Sequence, residues 1–358
     1  MATSASSVVR KRSSVTVVAA SLPPMTFTTS SQRGIDLPPP LRCVIMHSLL
    51  ASHQHQPLVY QLRIGDVKVT VIAESVAPLL RWQEIYPDAT EQSMSASRAS
   101  SDRKLYDVRS GRLVIAIQAF LIESESIRLM VDTCVGDCKE RARPEFNHAR
   151  FGWLDRLEAD GVGVDDIDLV LATHLHVDHV GCNTYYEDGR WRPTFPKARY
   201  LFVKEEFDFW TSESAESPLE RTGDYIGDSI LPLFEAGQAD IIGHRHVINS
   251  SIHLIPLPGH TPGHVGVCIE SEGRRAVISG DLFHTPFQCE QPDWNTRFCV
   301  NPEQSRQSRR AFFETHADTE TIIIPAHFPY PCAGSIHRMG NGAYEFRFIS
   351  VDKVLDIL

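Results

Sequence analysis

The 358-residue sequence predicts an α/β (α+β) fold in which two β-sheets pack face to face with helices outside. Segments with β-like patterning outnumber helical ones in each half of the chain. Their order runs β-rich, helix, β-rich, helix, which stacked sheets accommodate better than one doubly wound sheet. No internal repeat breaks that order.

Residues 1–56 stand apart. They are rich in Ser, Thr and Pro, carry Arg10, Lys11, Arg12 and Arg33, and have no acidic residue before Asp36. Such a composition buries too little apolar surface to offset the entropy of ordering. A low-complexity tail, disordered or targeting, is expected here, with Met46 as an alternative start. The expected location is cytoplasmic, with organelle targeting through this segment as the alternative. His47, His53 and His55 are read as solvated. Residues 57–358 are expected to form the functional domain.

The domain opens with LVYQLRIGDVKVTVIAES, where β-branched and polar residues alternate on both sides of a Gly-Asp turn, the pattern of a hairpin. Residues 76–107 carry isolated Leu80, Trp82 and Tyr86 in a polar background and read as a long loop. Strands resume at RLVIAIQAFLIES and IRLMVD, a helix follows at GWLDRLEADG, and IDLVLA is the next strand. ARYLFV reads as a strand, KEEFDFW as an amphipathic helix, and a further helix is expected near 226–236. SSIHLIPL, HVGVCIES and RRAVISGD are β-like, a helix runs from about Pro302 to His316, and TIIIPAH is the last apolar strand.

With 42% hydrophobic residues the chain can bury a substantial core. Its formal net charge of −10 argues against a nucleic-acid binder, which would show a basic stripe, and favours a small-molecule substrate. No stretch reaches the roughly 18 apolar residues that span a bilayer, so no membrane partner is expected. The eight cysteines lack paired zinc-knuckle spacing and are read as mostly reduced thiols. Cys134 and Cys138 form C-x-x-x-C, a weak redox pattern, and Cys182 reads as a small buried hydrophobe.

Five strands end in metal-type ligands. They are LMVDT (Asp132), LATHLHVDH (His174, His176, Asp178, His179), LIPLPGHTPGH (His260, His264), AVISGDLFH (Asp281, His284) and IIIPAHFP (His327). Loops at strand ends are where a rigid scaffold presents functional groups. One buried histidine is more often a hydrogen-bonded core residue than a ligand. Four ligand-type side chains within six positions differ, because an apolar core could hardly supply partners for all of them. From the residues alone the cluster could serve one metal, two or none. Imidazoles and carboxylates without thiolate suit zinc or another borderline divalent ion, and spare positions for water mark a catalytic site.

The set THLHVDH, GHTPGH, SGD and PAH, in this order and after strands, resembles the metallo-β-lactamase-fold hydrolases over roughly residues 58–345. The resemblance implies a four-layer αββα sandwich holding two Zn²⁺ ions, or other divalent metals, at one edge. It implies that His174, His176 and His260 hold one metal, that Asp178, His179 and His327 hold the other, and that Asp281 bridges them. Asp132 would orient a ligand histidine. Class B β-lactamases lack the bridging carboxylate at SGD, flavodiiron proteins carry a glutamate pattern in the opening motif, and neither the helical substrate domain of glyoxalase II nor a basic RNA-binding insertion is seen here. FPKARYLFVKEEFDFW, GDLFH and PAHFPYP look most like the N-acyl homoserine lactonase and methyl parathion hydrolase subgroup. The implied activity is hydrolysis of lactones, of the acyl homoserine lactone type, or of carboxylic esters by attack of a metal-bridging hydroxide. Asp178 would be the catalytic residue that carries a proton to the leaving oxygen. A phosphotriester hydrolase of the methyl parathion type is the alternative. Phe283, His284, Phe287, Phe328 and Tyr330 are expected to line the pocket, with Trp82 or Tyr86 closing over it. His244, His246 and His264 are given structural or surface roles, and the resemblance also implies a homodimer.

Overall fold

The hairpin expected at the start of the domain is present as β1 (Val59–Ile64) and β2 (Val67–Arg81), paired antiparallel. It belongs to a computed structural model that describes residues 56–215, 219 and 222–350, so His47, His53, His55 and the rest of the tail up to residue 55 lie outside the described residues. All described residues fall in one compact unit, Leu41–Leu358.

β2 leads to β3 (Tyr106–Asp107) and β4 (Arg112–Ser124), both joined antiparallel within the first sheet, and β4 pairs with β5 (Ile127–Val131). The sheet then turns parallel through β6 (Leu169–Leu171) and, after a separate hairpin of β7 (Thr184–Glu187) and β8 (Arg190–Pro193), through β9 (Arg199–Val203) and β10 (Ala239–Ile242). The second sheet runs in the order β11 (Ile252–Pro256), β12 (Val265–Ser271), β13 (Arg274–Gly280), β14 (Ile322–Pro325), β15 (Gly334–Arg338) and β16 (Tyr344–Phe348). Only the β13–β14 pair in it is parallel.

Alternation along the strands builds the layers. Phe120, Ile122, Leu129, Val131, Leu201 and Val203 point between the sheets, against Leu254, Val265, Val267 and Ile278. Their neighbours Leu121, Met130, Tyr200 and Phe202 face the other way, onto Trp153 and Leu157 of the helix Trp153–Ala159 and Trp210 of the helix Lys204–Trp210. On the far side, Phe312 and Phe313 of the helix Pro302–His316 pack against Phe283, and Phe313 also against Tyr344 of β16. The result is the four-layer αββα sandwich. A buried Val, Leu, Ile or Phe contributes about 1.5–3 kcal/mol, and a one-residue slip would turn every one of them to the wrong face.

Three expectations are corrected. Residues 76–107 are not an irregular loop: β2 continues to Arg81, and short helices follow at Trp82–Ile85, Glu91–Ala96 and Arg98–Ser101. Register shifts between Ala73 and Ser75 and between Pro78 and Leu80 break the period-two pattern while absorbing the proline. Leu79, Leu80, Ile85, Tyr86, Met94 and Leu105 from this segment are buried. The helix near 226–236 is two short helices, Tyr225–Ser229 and Leu231–Glu235. TIIIPAH does not supply the last strand, because β15 and β16 follow it.

Candidate metal centre and substrate cavity

The parallel pairs explain where the ligand-type residues meet. β5 runs beside β6 with Val131 opposite Leu171, and β13 beside β14 with Gly280 opposite Pro325, so each pair releases its loops at one sheet edge. The edges are tied together by Val265 N donating to Thr173 O at 3.0 Å and Ala116 N donating to His327 O at 3.0 Å. Two glycines permit the close approach. A Cβ at Gly280, whose φ is +51°, would lie 2.5 Å from His264 Nε2, and one at Gly181 would lie 1.7 Å from Val135 O.

Two donor groups result, one of His174, His176, His260 and Asp281, the other of Asp178, His179 and His327, with ligand atoms within 4.8 Å of one another in each. Asp281 joins them: its Oδ2 lies 3.6 Å from His174 Nε2, 3.2 Å from His260 Nε2 and 3.0 Å from His327 Nε2, while its Oδ1 lies 3.3 Å from His179 Nε2. Asp178 is only partly buried, with 22% of its side chain exposed, and stands 3.8 Å from both His179 Nε2 and His327 Nε2.

The hydrogen-bond network engages the Nδ1 atoms of three of these histidines, His174, His179 and His327. Asp132, in the left-handed region at φ 61°, accepts from Thr173 N at 2.7 Å through Oδ1. Its Oδ2 accepts from Thr173 Oγ1 and from His179 Nδ1, both at 2.9 Å. Because the Thr173 hydroxyl donates to Asp132, its oxygen accepts from His174 Nδ1 at 3.1 Å. His327 Nδ1 donates to Ala116 O at 2.8 Å, and His260 Nδ1 faces Cys299 Sγ at 3.6 Å. The Nε2 atoms of His174, His179, His260 and His327 therefore all face the Asp281 carboxylate. His176 Nδ1 lies 3.0 and 2.9 Å from two of them and can hold at most one proton. His179 Nε2 and Asp281 Oδ1 are buried with no hydrogen-bond partner. Four imidazole nitrogens converging on one buried carboxylate form a nitrogen and oxygen donor set that fits metal ions.

Burial pushes the His174 and His260 imidazoles below their ordinary range and His176 down to about 4, which keeps them neutral, as ligands must be. Burial also acts to lower His179 and His327, but Asp281 and the other nearby carboxylates hold both above the ordinary value. His264 is different: Nδ1 donates to Leu257 O at 2.8 Å and Nε2 accepts from Asp281 N at 2.9 Å, so both nitrogens are satisfied and its role is structural. His244 pairs with Glu205 at 3.2 Å on the surface, and neither it nor His246 joins the cluster.

The cluster opens into a cavity of about 750 Å³, walled by Leu79, Leu80, Ile85, Ile115, Phe146 and Phe298. Of the residues expected to line it, His284 does, with Nε2 3.1 Å from Asp281 Oδ2. Phe283, Phe287, Phe328, Tyr330 and Trp82 are not among the lining residues. Phe283 plugs the core against Phe313 at 5.1 Å and Phe328 at 5.4 Å, and Phe287 is buried beneath the first sheet's outer face. Tyr330 stands edge-on to Tyr60 at 4.7 Å, and Trp82 packs against the outer core. Tyr86 is buried, its hydroxyl 2.7 Å from Thr285 Oγ1, and does not close over the pocket. Cys134 and Cys182 are free and buried, whereas Cys138 is disulfide-bonded, so the C-x-x-x-C pair is not joined to itself.

Sequence reasoning missed two supports. Glu206 is buried and accepts from Leu175 N at 2.9 Å, Trp210 Nε1 at 2.7 Å and Gly263 N at 2.8 Å, joining the His174–His179 loop to the loop that carries His260. Cys299 lines the cavity and backs His260, with Thr296 Oγ1 and Ser305 Oγ each 3.5 Å from its sulfur. Neither has a local sequence signal.

Residues 113–332 match the model of the metallo-beta-lactamase superfamily, and the chain belongs to that family. A "probable metallo-hydrolase" of Mycobacterium tuberculosis is 23% identical over 242 residues, 61% of this chain and 76% of the relative. The N-acyl homoserine lactonase AiiB of Agrobacterium fabrum is 27% identical over 184 residues, covering 46% of this chain and 61% of that protein. The solved structure of AidC, a dizinc quorum-quenching lactonase, shares the fold with a TM-score of 0.66, 20% identity, and coverage of 82% of this chain and 97% of that one. The family's members among these relatives are hydrolases, and this chain is a metal-dependent hydrolase by fold and family. Among the described residues no helix is long and apolar enough to cross a membrane.

Proposed function

We propose that this chain is a dinuclear zinc hydrolase that opens lactones or cleaves carboxylic esters. The observation that carries the reading is the convergence of two donor groups on Asp281. His174, His176 and His260 would hold one ion, Asp178, His179 and His327 the other, and Asp281 both. Two ions so held supply Lewis acidity and a hydroxide at neutral pH. The apolar walls take the acyl group and exclude water. Asp178, open to the cavity, delivers a proton to the leaving oxygen, a step that an alkoxide from a lactone requires. The lactonase names of AiiB and AidC support the substrate class.

The test pairs metal analysis of protein purified without chelator with turnover of an acyl homoserine lactone and of a phosphotriester. Two ions per chain and faster lactone turnover are expected. One ion or none at full activity refutes the dinuclear reading, and preference for the phosphotriester transfers the assignment to that alternative.

A further inference from the structure

The cavity carries positive charge that the hydrolytic chemistry does not use. Arg112, Arg143 and Arg297 line it together with two carboxylates outside the donor cluster, Glu84 and Glu145. Glu145 lies 3.4 Å from Arg143, and Glu84 accepts from Arg81 N at 2.9 Å. Among the described residues no carboxylate stands within ion-pair distance of Arg112 or Arg297. The two are anchored to the same wall: an Arg112 Nη1 donates to Leu79 O, and Arg297 N donates to Ile85 O at 2.9 Å. Arg81 stands opposite Arg112 in the β2–β4 register and adds like charge to that end. A neutral acyl chain would make no use of guanidiniums placed here, whereas a carboxylate or phosphate would be held in their fork.

The position sets a length. β4 runs from Arg112 past Ile115, a wall residue, to Ala116, whose carbonyl holds His327. Four residues at about 3.3 Å each put Arg112 on the order of 13 Å from the donor cluster, with Arg side chains shortening the gap. We infer that the substrate carries an anionic group, a carboxylate or phosphate, on the order of 10 Å from the bond that is cut, and that Arg112 and Arg297 bind it. This rests on the hydrolase reading for the site and adds the substrate's second pole.

Binding of product-like acids to the full-length, metal-loaded protein tests it without requiring turnover. Octanoate offers one carboxylate and suberate two at opposite ends of a similar chain. Suberate is expected to bind at least tenfold more tightly by calorimetry, a difference of about 1.4 kcal/mol. Arg297→Gln should bring that ratio near one. Arg112→Gln should do the same, with Arg112→Lys restoring part of it because charge and donor to Leu79 O are kept. Equal affinities in the unsubstituted protein, or a preference that survives both glutamine substitutions, overturn the inference. Turnover of a neutral lactone is measured alongside. Lactone turnover without suberate preference removes the anion site and leaves the lactonase reading, whereas suberate preference without turnover of the neutral lactone keeps the anion site and removes the lactonase reading.

Discussion

Glu206 offers the sharpest check on how the candidate centre is held together. Its two oxygens accept three hydrogen bonds from buried donors on two loops, so Glu206→Ala strands Leu175 N, Gly263 N and Trp210 Nε1 at once. Each buried donor left without a partner costs about 1–3 kcal/mol. Allowing water to recover part of the loss, the expected destabilisation is about 4 kcal/mol. Glu206→Gln keeps one acceptor oxygen but turns an amide N–H₂ toward a backbone or indole N–H, so about 2 kcal/mol is expected. Equilibrium urea unfolding in metal-free buffer measures both, and chelator competition measures metal retention. The Leu175 and Gly263 contacts position the loops of His174, His176 and His260, so metal should be lost faster in the same order, Ala before Gln. A Glu206→Ala protein within 1 kcal/mol of the unsubstituted one, holding metal equally well, would show that the carboxylate does not join the loops.

Glu74, fully buried and accepting from Val135 N and Gly136 N, is pushed up to about 8 by burial and then by Asp137. Between pH 4.5 and 8 the folded state keeps a proton that the unfolded state has released, so stability should fall as pH rises through that window, by at most about 1.4 kcal/mol per pH unit. Glu74→Gln should flatten that slope, and an unchanged slope in pH-dependent unfolding counts against it. Asp281→Ala should abolish metal binding, while Asp132→Ala, which removes only the partner of His179 Nδ1 and Thr173, should weaken it about 10–100-fold. Equal metal loss in the two proteins reverses their roles. Cys299→Ala should weaken metal affinity and Cys299→Ser should restore it, since a hydroxyl can also accept from His260 Nδ1; identical affinities in all three exclude a positioning role.

The sequence makes legible whatever forms an apolar run or ends a strand in a dense run of ligands. β4, β5 and β9 are near-continuous apolar runs, and His174–His179 follow β6 directly. The segment containing Leu79, Leu80 and Ile85 is not legible, because Pro78 and two register shifts erase the period there, and with it one wall of the cavity is lost. Phe283 and Phe328 show a second limit. Nearness to Asp281 or His327 in sequence says nothing about direction, and both rings turn inward to the core. Glu206 shows a third: KEEFDFW carries Glu205, Glu206 and Asp208, and only the packing of the helix decides which of the three is buried.

The donors are divided between the two sheets. His174, His176, Asp178 and His179 leave the first, whereas His260, Asp281 and His327 leave the second, so the centre exists only at the seam. A nascent chain has made the whole His174–His179 run long before it reaches Asp281, and His327 later still. Ion capture at full affinity must therefore wait until the second sheet has closed on the first. From then on, an ion held at 1,000 times its dissociation constant adds about 4 kcal/mol against reopening the sandwich.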